Sequence, residues 1–282
     1  MKRAMWHTCI DKNRLLLAVL WAPVAACGSE TPGAGPLQST TTAITVTVPG
    51  PLRMGQTAQA TAAETLSDGQ TRPITSGFSS DAAAVAAITN SGLVTGIANG
   101  RATISVVAGG RQGQQGLRVV PDYQGRWSGG LRVTSCTQTG IFDDVDFCDD
   151  SPVGTTYHHA LSLSQSGEQM TAVVDYGPPY VFPVIAAPVR EDGTSAFTPS
   201  MSVTDSGITL TVDAAYTVNS TRLGELTGTV NEVWRIPGFT GEGRLAQDIV
   251  ATTRSSTAAS SSVREGSARR LSFMRKVAAQ KR

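Results

Sequence analysis

Short apolar runs with a period of two constrain the fold of this chain more than any other feature of its sequence. Three such runs follow one another within residues 79–107, separated by an Asn-Ser-Gly turn and an Asn-Gly turn. The third run places three apolar residues on one strand face: Ala102, Ile104 and Val106. Side chains alternate between the two faces of a strand, and short strands interrupted by such turns are typical of β-sandwiches. The stretch therefore predicts an all-β fold class.

The same stretch resembles the C-terminal half of bacterial immunoglobulin-like domains of group 2. The residues that carry the resemblance are Ser79-Ser80, Val85-Ala86, Gly92-Leu93-Val94, Gly96, Gly100 and Ala102-Thr103-Ile104. The resemblance implies an N-terminal immunoglobulin-like sandwich over residues 43–120. It also implies a spacer or adhesive role at a cell surface, because no catalytic motif belongs to this family.

A second series of alternating runs, separated by Gly, Pro and Asp-Gly turns, fills residues 122–250. Roughly eight strands fit into it, which predicts a second antiparallel β domain, either an up-and-down barrel or a second sandwich. Its first strand begins Gly125-Arg126-Trp127, which resembles the Gly-x-Trp start of lipocalin-like barrels. This resemblance implies that Arg244, on the last predicted strand, packs over the Trp127 ring. An unrelated core tryptophan is the alternative.

The first 26 residues have the pattern of a signal peptide, with four Lys and Arg residues before the apolar core Leu15–Ala26. The core is too short for a membrane span. Residues 24–29 resemble the bacterial lipoprotein cleavage box, which implies cleavage before Cys27, lipid attachment at Cys27 and, from Ser29, the outer membrane. An ordinary signal peptide followed by an accidental cysteine is the alternative. Residues 27–42 are rich in Gly, Pro, Ser and Thr and predict a flexible tether.

The chain contains four cysteines. Cys9 lies in the segment expected to be removed, and Cys27 is expected to carry the lipid. The remaining pair, Cys136 and Cys148, predicts one disulfide in an exported protein. Two cysteines at this spacing, without a CxxC motif, do not indicate a metal site.

Five aspartates crowd around the predicted disulfide loop: Asp143, Asp144, Asp146, Asp149 and Asp150. Carboxylate clusters of this kind bind hard cations such as calcium. The segment lacks the Gly and Glu positions of an EF-hand loop, so the sequence favours a solvated acidic loop over a metal site.

His158 and His159 are the two histidines that follow the predicted signal peptide. Neighbours on a strand point to opposite faces, so both cannot ligate one metal ion from a regular strand, and both are predicted at a sheet surface. The sequence contains no HExxH, GxSxG, GxxxxGK or CxxC motif. These patterns predict a protein that is not an enzyme and uses no cofactor. A hydrolase with a carboxylate pair, which leaves no local signature, is the remaining enzyme alternative.

Charge divides the chain into an acidic body and a basic tail. Residues 122–250 contain six basic and sixteen acidic residues, a net charge of −10, whereas residues 251–282 contain eight basic and one acidic, a net charge of +7. The tail is predicted to be disordered; a short amphipathic helix with Leu271, Met274 and Val277 on one face is the alternative. Anionic lipid or the acidic domain is its expected partner, and not nucleic acid, because Phe273 is its one aromatic residue.

Together these patterns predict a lipid-anchored cell-envelope protein with a non-enzymatic binding, adhesion or structural role. The expected partners are the membrane, through the lipid, and a cell-surface polysaccharide or protein. The alternative function is a lipocalin-like carrier of a small apolar ligand in the second domain. The interior of that domain separates the two hypotheses, because a carrier needs a cavity of some hundreds of Å³ whereas a spacer needs a filled core.

Overall fold

The computed structural model describes residues 38–176, 181–255 and 273–280. The predicted signal peptide and Cys27 lie outside these residues. The described chain is all-β, as predicted, and consists of an immunoglobulin-like unit followed by a second, larger antiparallel unit.

The immunoglobulin-like unit contains ten short strands in three sheets, with strand orders β1-β4-β5, β2-β10-β9-β6 and β3-β8-β7. The strands are β1 (Thr41–Thr47), β2 (Leu52–Arg53), β3 (Thr57–Gln59), β4 (Thr61–Leu66), β5 (Thr71–Ile74), β6 (Phe78–Ser80), β7 (Ala86–Ile88), β8 (Leu93–Gly96), β9 (Gly100–Ala108) and β10 (Arg111–Val120). The predicted alternation holds in β9, where Ala102, Ile104 and Val106 are all buried in the core.

Between residues 125 and 255, the described part of the second unit contains nine strands in one antiparallel sheet and a short helix after the first strand. These elements are β11 (Gly125–Gln138), α1 (Ile141–Asp144), β12 (Thr156–Ser166), β13 (Gln169–Asp175), β14 (Ile185–Pro188), β15 (Ser195–Phe197), β16 (Ser200–Asp205), β17 (Ile208–Asn219), β18 (Glu225–Arg235) and β19 (Gly243–Ser255). The sheet order is β14-β13-β12-β11-β19-β18-β17-β15, with β16 also paired to β17.

The sheet of the second unit closes on itself. β14 and β15, which end the strand order, meet through an antiparallel bridge between Val189 and Ser195. Sequence neighbours are also spatial neighbours, and β19 returns to pair with β11. Of the two architectures predicted for this unit, the structure therefore has the up-and-down barrel.

The end of the barrel that faces the immunoglobulin-like unit is joined to it through Arg118, on β10. The Arg118 side chain is 8% exposed, and its Nε lies 3.3 Å from Glu168 Oε1. Its Nη2 donates hydrogen bonds to the carbonyl oxygens of Arg190 and Glu191, at 3.1 and 2.9 Å. Its Nη1 donates to the carbonyl oxygens of Gly100 and Val119 in its own unit. One buried guanidinium thus satisfies backbone carbonyls from both units.

The predicted disorder of residues 251–282 is wrong for the described part of that segment. Strand β19 continues to Ser255, and residues 273–280 form a second helix, α2. Phe273, Met274 and Val277 of α2 are buried in the core of the barrel. A composition dominated by charge concealed an apolar stripe that is complementary to an aromatic surface on the barrel. Met274 and Val277 match the alternative prediction of an amphipathic helix, whereas Leu271 lies outside the described residues.

Candidate functional site

The distal mouth, the barrel end formed by residues 139–155, residues 236–242 and α2, is the candidate functional site. The first two segments are tied together by backbone hydrogen bonds, from Thr139 N to Glu242 O and from Ile141 N to Thr240 O, at 3.0 and 3.1 Å. Gly140, at φ 57°, allows this close approach, because a Cβ there would lie 2.2 Å from the Thr240 oxygen. Two chain segments distant in sequence therefore form one rim.

The predicted disulfide between Cys136 and Cys148 is present and fixes the first rim segment, with a Cα–Cα distance of 5.7 Å. Gln138 supports it from the end of β11. Its Oε1 accepts the backbone N–H of Cys148 at 2.6 Å, and its Nε2 donates to Asp143 Oδ1 at 3.0 Å. The bond and these contacts hold a short acidic loop against the barrel.

An aromatic cluster lies beneath this loop. Phe273 of α2 stacks on Phe142, with ring centroids 5.1 Å apart, and meets Phe147 edge-on at 5.4 Å. Phe147 also contacts the ring of Trp234 on β18, at 5.2 Å. Offset and edge-to-face pairs of this kind stabilise a fold in addition to the stabilisation from the apolar area that they bury. The cluster joins the disulfide loop, the barrel wall and α2.

The five aspartates that were considered as calcium ligands do not come together. Asp143 accepts from Gln138, and Asp150 forms an ion pair with Lys276 of α2, with 2.7 Å between Oδ2 and Nζ. The backbone carbonyl of Asp144 accepts a hydrogen bond from the Gln280 side chain. In the described residues, no three His, Cys, Asp or Glu side chains are placed to hold a metal ion. The acidic loop instead binds the basic face of α2, one of the two expected partners of the tail.

The cavity at the distal mouth measures about 30 Å³, which is one water molecule's share of liquid volume. Its lining consists of Leu131, Phe147, Asp150, Ser151, Tyr157, His158, Tyr176, Trp234, Leu245, Gln247 and Phe273. The side-chain oxygen of Gln247 is buried without a hydrogen-bond partner. A carrier needs a cavity roughly ten times larger. This cavity is therefore too small to hold the ligand of a carrier.

A buried carboxylate lies beside the cavity. Glu232 of β18 accepts a hydrogen bond from Tyr176 Oη at 2.8 Å and another from Trp234 Nε1 at 2.9 Å. Tyr176 in turn hydrogen-bonds to Tyr216 across the barrel. Glu232 was not among the predicted site residues, although the period of two contains a signal for it. In a strand, Glu232 lies between Val230 and Trp234 on one face, and both of these neighbours are buried.

The two histidines occupy different environments, and the prediction that both lie at a surface is wrong for His159. His158 is exposed, whereas His159 is fully buried, with neither ring nitrogen hydrogen-bonded. Burial lowers the pKa of His159 to about 4, because desolvation penalises the charged imidazolium. The residue is therefore neutral inside the barrel at neutral pH, and nothing in its surroundings assigns it a catalytic role.

The predicted contact between Arg244 and Trp127 is also wrong, although a different arginine makes it. Arg254, near the end of β19, places its guanidinium 5.0 Å from the centre of the Trp127 ring. Arg254 also forms an ion pair with Asp122 at 2.8 Å. Arg244 lies at the opposite end of β19, where it pairs with Glu242. The arginine over the Trp127 ring is therefore near the end of β19 opposite to the predicted one.

Comparison with known proteins identifies the first unit. Residues 40–119 match the family model of the bacterial Ig-like domain (group 2). Among curated proteins, none matches the chain. In the described residues, no helix has the length and apolarity needed to cross a bilayer.

Two solved structures of a surface-layer protein are similar to the chain at low identity. The structure of domains 4–9 of surface layer protein SbsC is 14% identical, with 74% of this chain and 31% of that chain covered and a TM-score of 0.26. The structure of domains 5–6 of the same S-layer protein is 15% identical, with 78% and 100% covered and a TM-score of 0.26. The chain thus spans about a third of the first of these.

The family match and the geometry agree on the composition of the chain. It is an all-β protein that carries a bacterial Ig-like domain of group 2 over residues 40–119, followed by a disulfide-bearing antiparallel β unit.

Proposed function

We propose that this chain is a lipid-anchored protein of the cell envelope, with a non-enzymatic structural or adhesive role in which its two β units act as one rigid spacer. The observation that carries the proposal is the match of residues 40–119 to a bacterial Ig-like domain. The Ig-like fold supports a role at the cell surface, and the lipoprotein-like box around Cys27 supports the anchor.

The contacts between the two units support the spacer role. Arg118 of the first unit is buried against the second, where it donates to the carbonyl oxygens of Arg190 and Glu191 at 3.1 and 2.9 Å. Buried hydrogen bonds of this kind fix an orientation, because breaking one leaves an unsatisfied polar group. The buried apolar and aromatic side chains of the barrel support the same role, since a closely packed core resists deformation.

Mass spectrometry and fractionation of the natural product test the anchor. The expected result is a mature chain that starts at Cys27, carries lipid and sediments with the membrane fraction. Cys27→Ser should release the chain into the soluble fraction, whereas Cys9→Ser, the matched control, should leave the membrane fraction unchanged. An unlipidated wild-type chain in the soluble fraction would contradict the anchoring.

Small-angle scattering of residues 38–282 tests the rigid spacer separately from the anchor. If the two units form a rigid pair, the maximum dimension measured by scattering should be the same at low and at high salt. A broad distribution of distances that widens with salt would contradict the spacer and leave the anchor untouched.

A further inference from the structure

We propose that α2 is an internal plug at the distal mouth, and that its displacement opens a binding site for a small apolar molecule that carries one hydrogen-bond donor.

Buried apolar side chains hold α2 against the barrel. Its buried side chains are Phe273, Met274 and Val277, at 2%, 0% and 0% exposure. Phe273 enters the aromatic cluster between Phe142 and Trp234. An isolated helix of this length is not stable in water, so these contacts, and not intrinsic propensity, hold it in place.

The polar contacts of α2 lie at its exposed face and contribute little to its binding. Lys276 pairs with Asp150, with 42% and 34% of the side chains exposed, and Arg275 lies 3.9 Å from Asp205. Exposed pairs of this kind typically contribute at most about 1 kcal/mol. They orient the helix over the acidic loop, and the apolar side chains provide most of the stabilisation.

The wall beneath α2 is continuous with the interior of the barrel. Phe273 lines the cavity of about 30 Å³ together with Leu131, Trp234 and Leu245. Phe273 is the α2 side chain that lines this cavity, so its withdrawal would widen the cavity toward the position of the helix. The unpartnered Gln247 oxygen lies in its wall and is an acceptor without a donor. Because this acceptor has no partner, we expect an apolar ligand that carries one hydrogen-bond donor.

A fluorescence titration with N-phenyl-1-naphthylamine, a neutral apolar probe with one N–H, tests the proposal. The variants are a chain that ends at Ser272 and the full chain with Phe273→Asp; Ala279→Asp, on the exposed face of α2, is the matched control. In wild type the probe can bind only to the fraction of molecules in which α2 is displaced, and its apparent affinity is weakened by that fraction. Both variants should therefore bind the probe roughly tenfold or more tightly than wild type. The control should bind like wild type.

Competition locates the bound probe. A peptide of residues 273–282 should displace the probe from the chain that ends at Ser272, and the same peptide with Phe273→Asp should not. Two results would overturn the proposal: a truncated chain that keeps its β-type circular dichroism and cooperative melting but binds no more probe than wild type, or bound probe that the wild-type peptide fails to displace.

Hydrogen exchange on the intact chain covers the case in which neither variant folds. A displaceable plug opens locally, so the amides of residues 273–280 should exchange faster than those of β19 at low denaturant. Equal protection of α2 and β19 would show that the helix is an inseparable part of the core, and this result would also overturn the proposal.

Discussion

Polar side chains at inward-facing strand positions distinguish this barrel from a simple hydrophobic core. Glu232 is 1% exposed and accepts hydrogen bonds from Tyr176 and Trp234. Gln247 lines the cavity. His159 differs from Glu232, because its ring nitrogens have no hydrogen-bond partner. A buried group of this kind lowers stability when it is charged, and so the stability of the protein should depend on pH.

The free energy of unfolding should fall as the pH falls from about 6.5 to about 4. In that window the unfolded chain binds a proton at His159, whose ordinary pKa is 6.5, whereas the folded chain, with a pKa of about 4, does not. The proton-linked loss is about 3 kcal/mol, complete near pH 4 and absent above pH 6.5.

Urea unfolding between pH 4 and pH 8 measures this loss. His159→Leu should remove most of the pH dependence in the window, and His158→Leu, the exposed neighbour, should leave it intact. An unchanged pH profile in His159→Leu would contradict the assignment.

Arg254 should matter for stability and Arg244 should not. Arg254 stacks on the buried ring of Trp127 and pairs with Asp122, whose side chain is 14% exposed. Arg254→Ala should lower the free energy of unfolding by about 1–3 kcal/mol, from lost cation–π and charge-assisted contacts. Arg244→Ala removes an exposed pair and should cost less than about 1 kcal/mol. Equal melting temperatures for the two variants would contradict the contact.

Among the elements, strands separated by turns were predictable from sequence, and the docking of α2 was not. The alternation around Ile104 and the Asp-Gly turns are local signals, set by the geometry of a strand and the φ preferences of glycine. Phe273 lies in a segment of net charge +7, and its burial depends on Phe142 and Phe147, far away in the chain. Non-local complementarity of this kind has no signature within one segment.

The site residues divide in the same way. Cys136 and Cys148 could be paired because few cysteines remained to choose from, and Trp127 could be expected to carry an arginine from its local motif. The choice of Arg254 over Arg244 depends on the direction and register of β19 against β11, where Trp127 lies opposite Arg254. Register is a property of the assembled sheet, so the sequence predicted the chemistry and not the residue.

Loss of the disulfide should destabilise the second unit by about 3 kcal/mol, because the bond closes a short loop in the unfolded chain. The double variant Cys136→Ser, Cys148→Ser should show this loss in urea unfolding, and dithiothreitol should have no further effect on it. Wild type should lose the same amount in dithiothreitol. A double variant as stable as wild type would contradict a stabilising role.

At the scale of the whole molecule, Arg118 makes the two units depend on each other. Its guanidinium donates to four carbonyl groups, two in its own unit and two in the barrel. The junction also uses Gly193, at φ 87°, where a Cβ would lie 2.8 Å from the Asn99 side chain. The two units should therefore unfold as one cooperative body.

Arg118→Ala should separate the unfolding of the two units. Truncation removes four hydrogen bonds to carbonyl groups, one of them buried and three part-buried, and should cost about 1–3 kcal/mol. Calorimetry should show one transition in wild type and two in the variant. The matched control is Arg101→Ala, which removes an exposed pair with Glu191, at 70% and 81% exposure, and should keep a single transition. Two transitions already in wild type would contradict the coupling.

The bridge between Val189 and Ser195 has a consequence for the edges of the barrel sheet. Unpaired strand edges recruit edges of other molecules, and closing a sheet removes them. The bridge joins β14 to β15, so neither end of the strand order is wholly free, while β16 pairs with β17 alone. Pairing with another chain through β14 or β15 would therefore have to compete with this bridge.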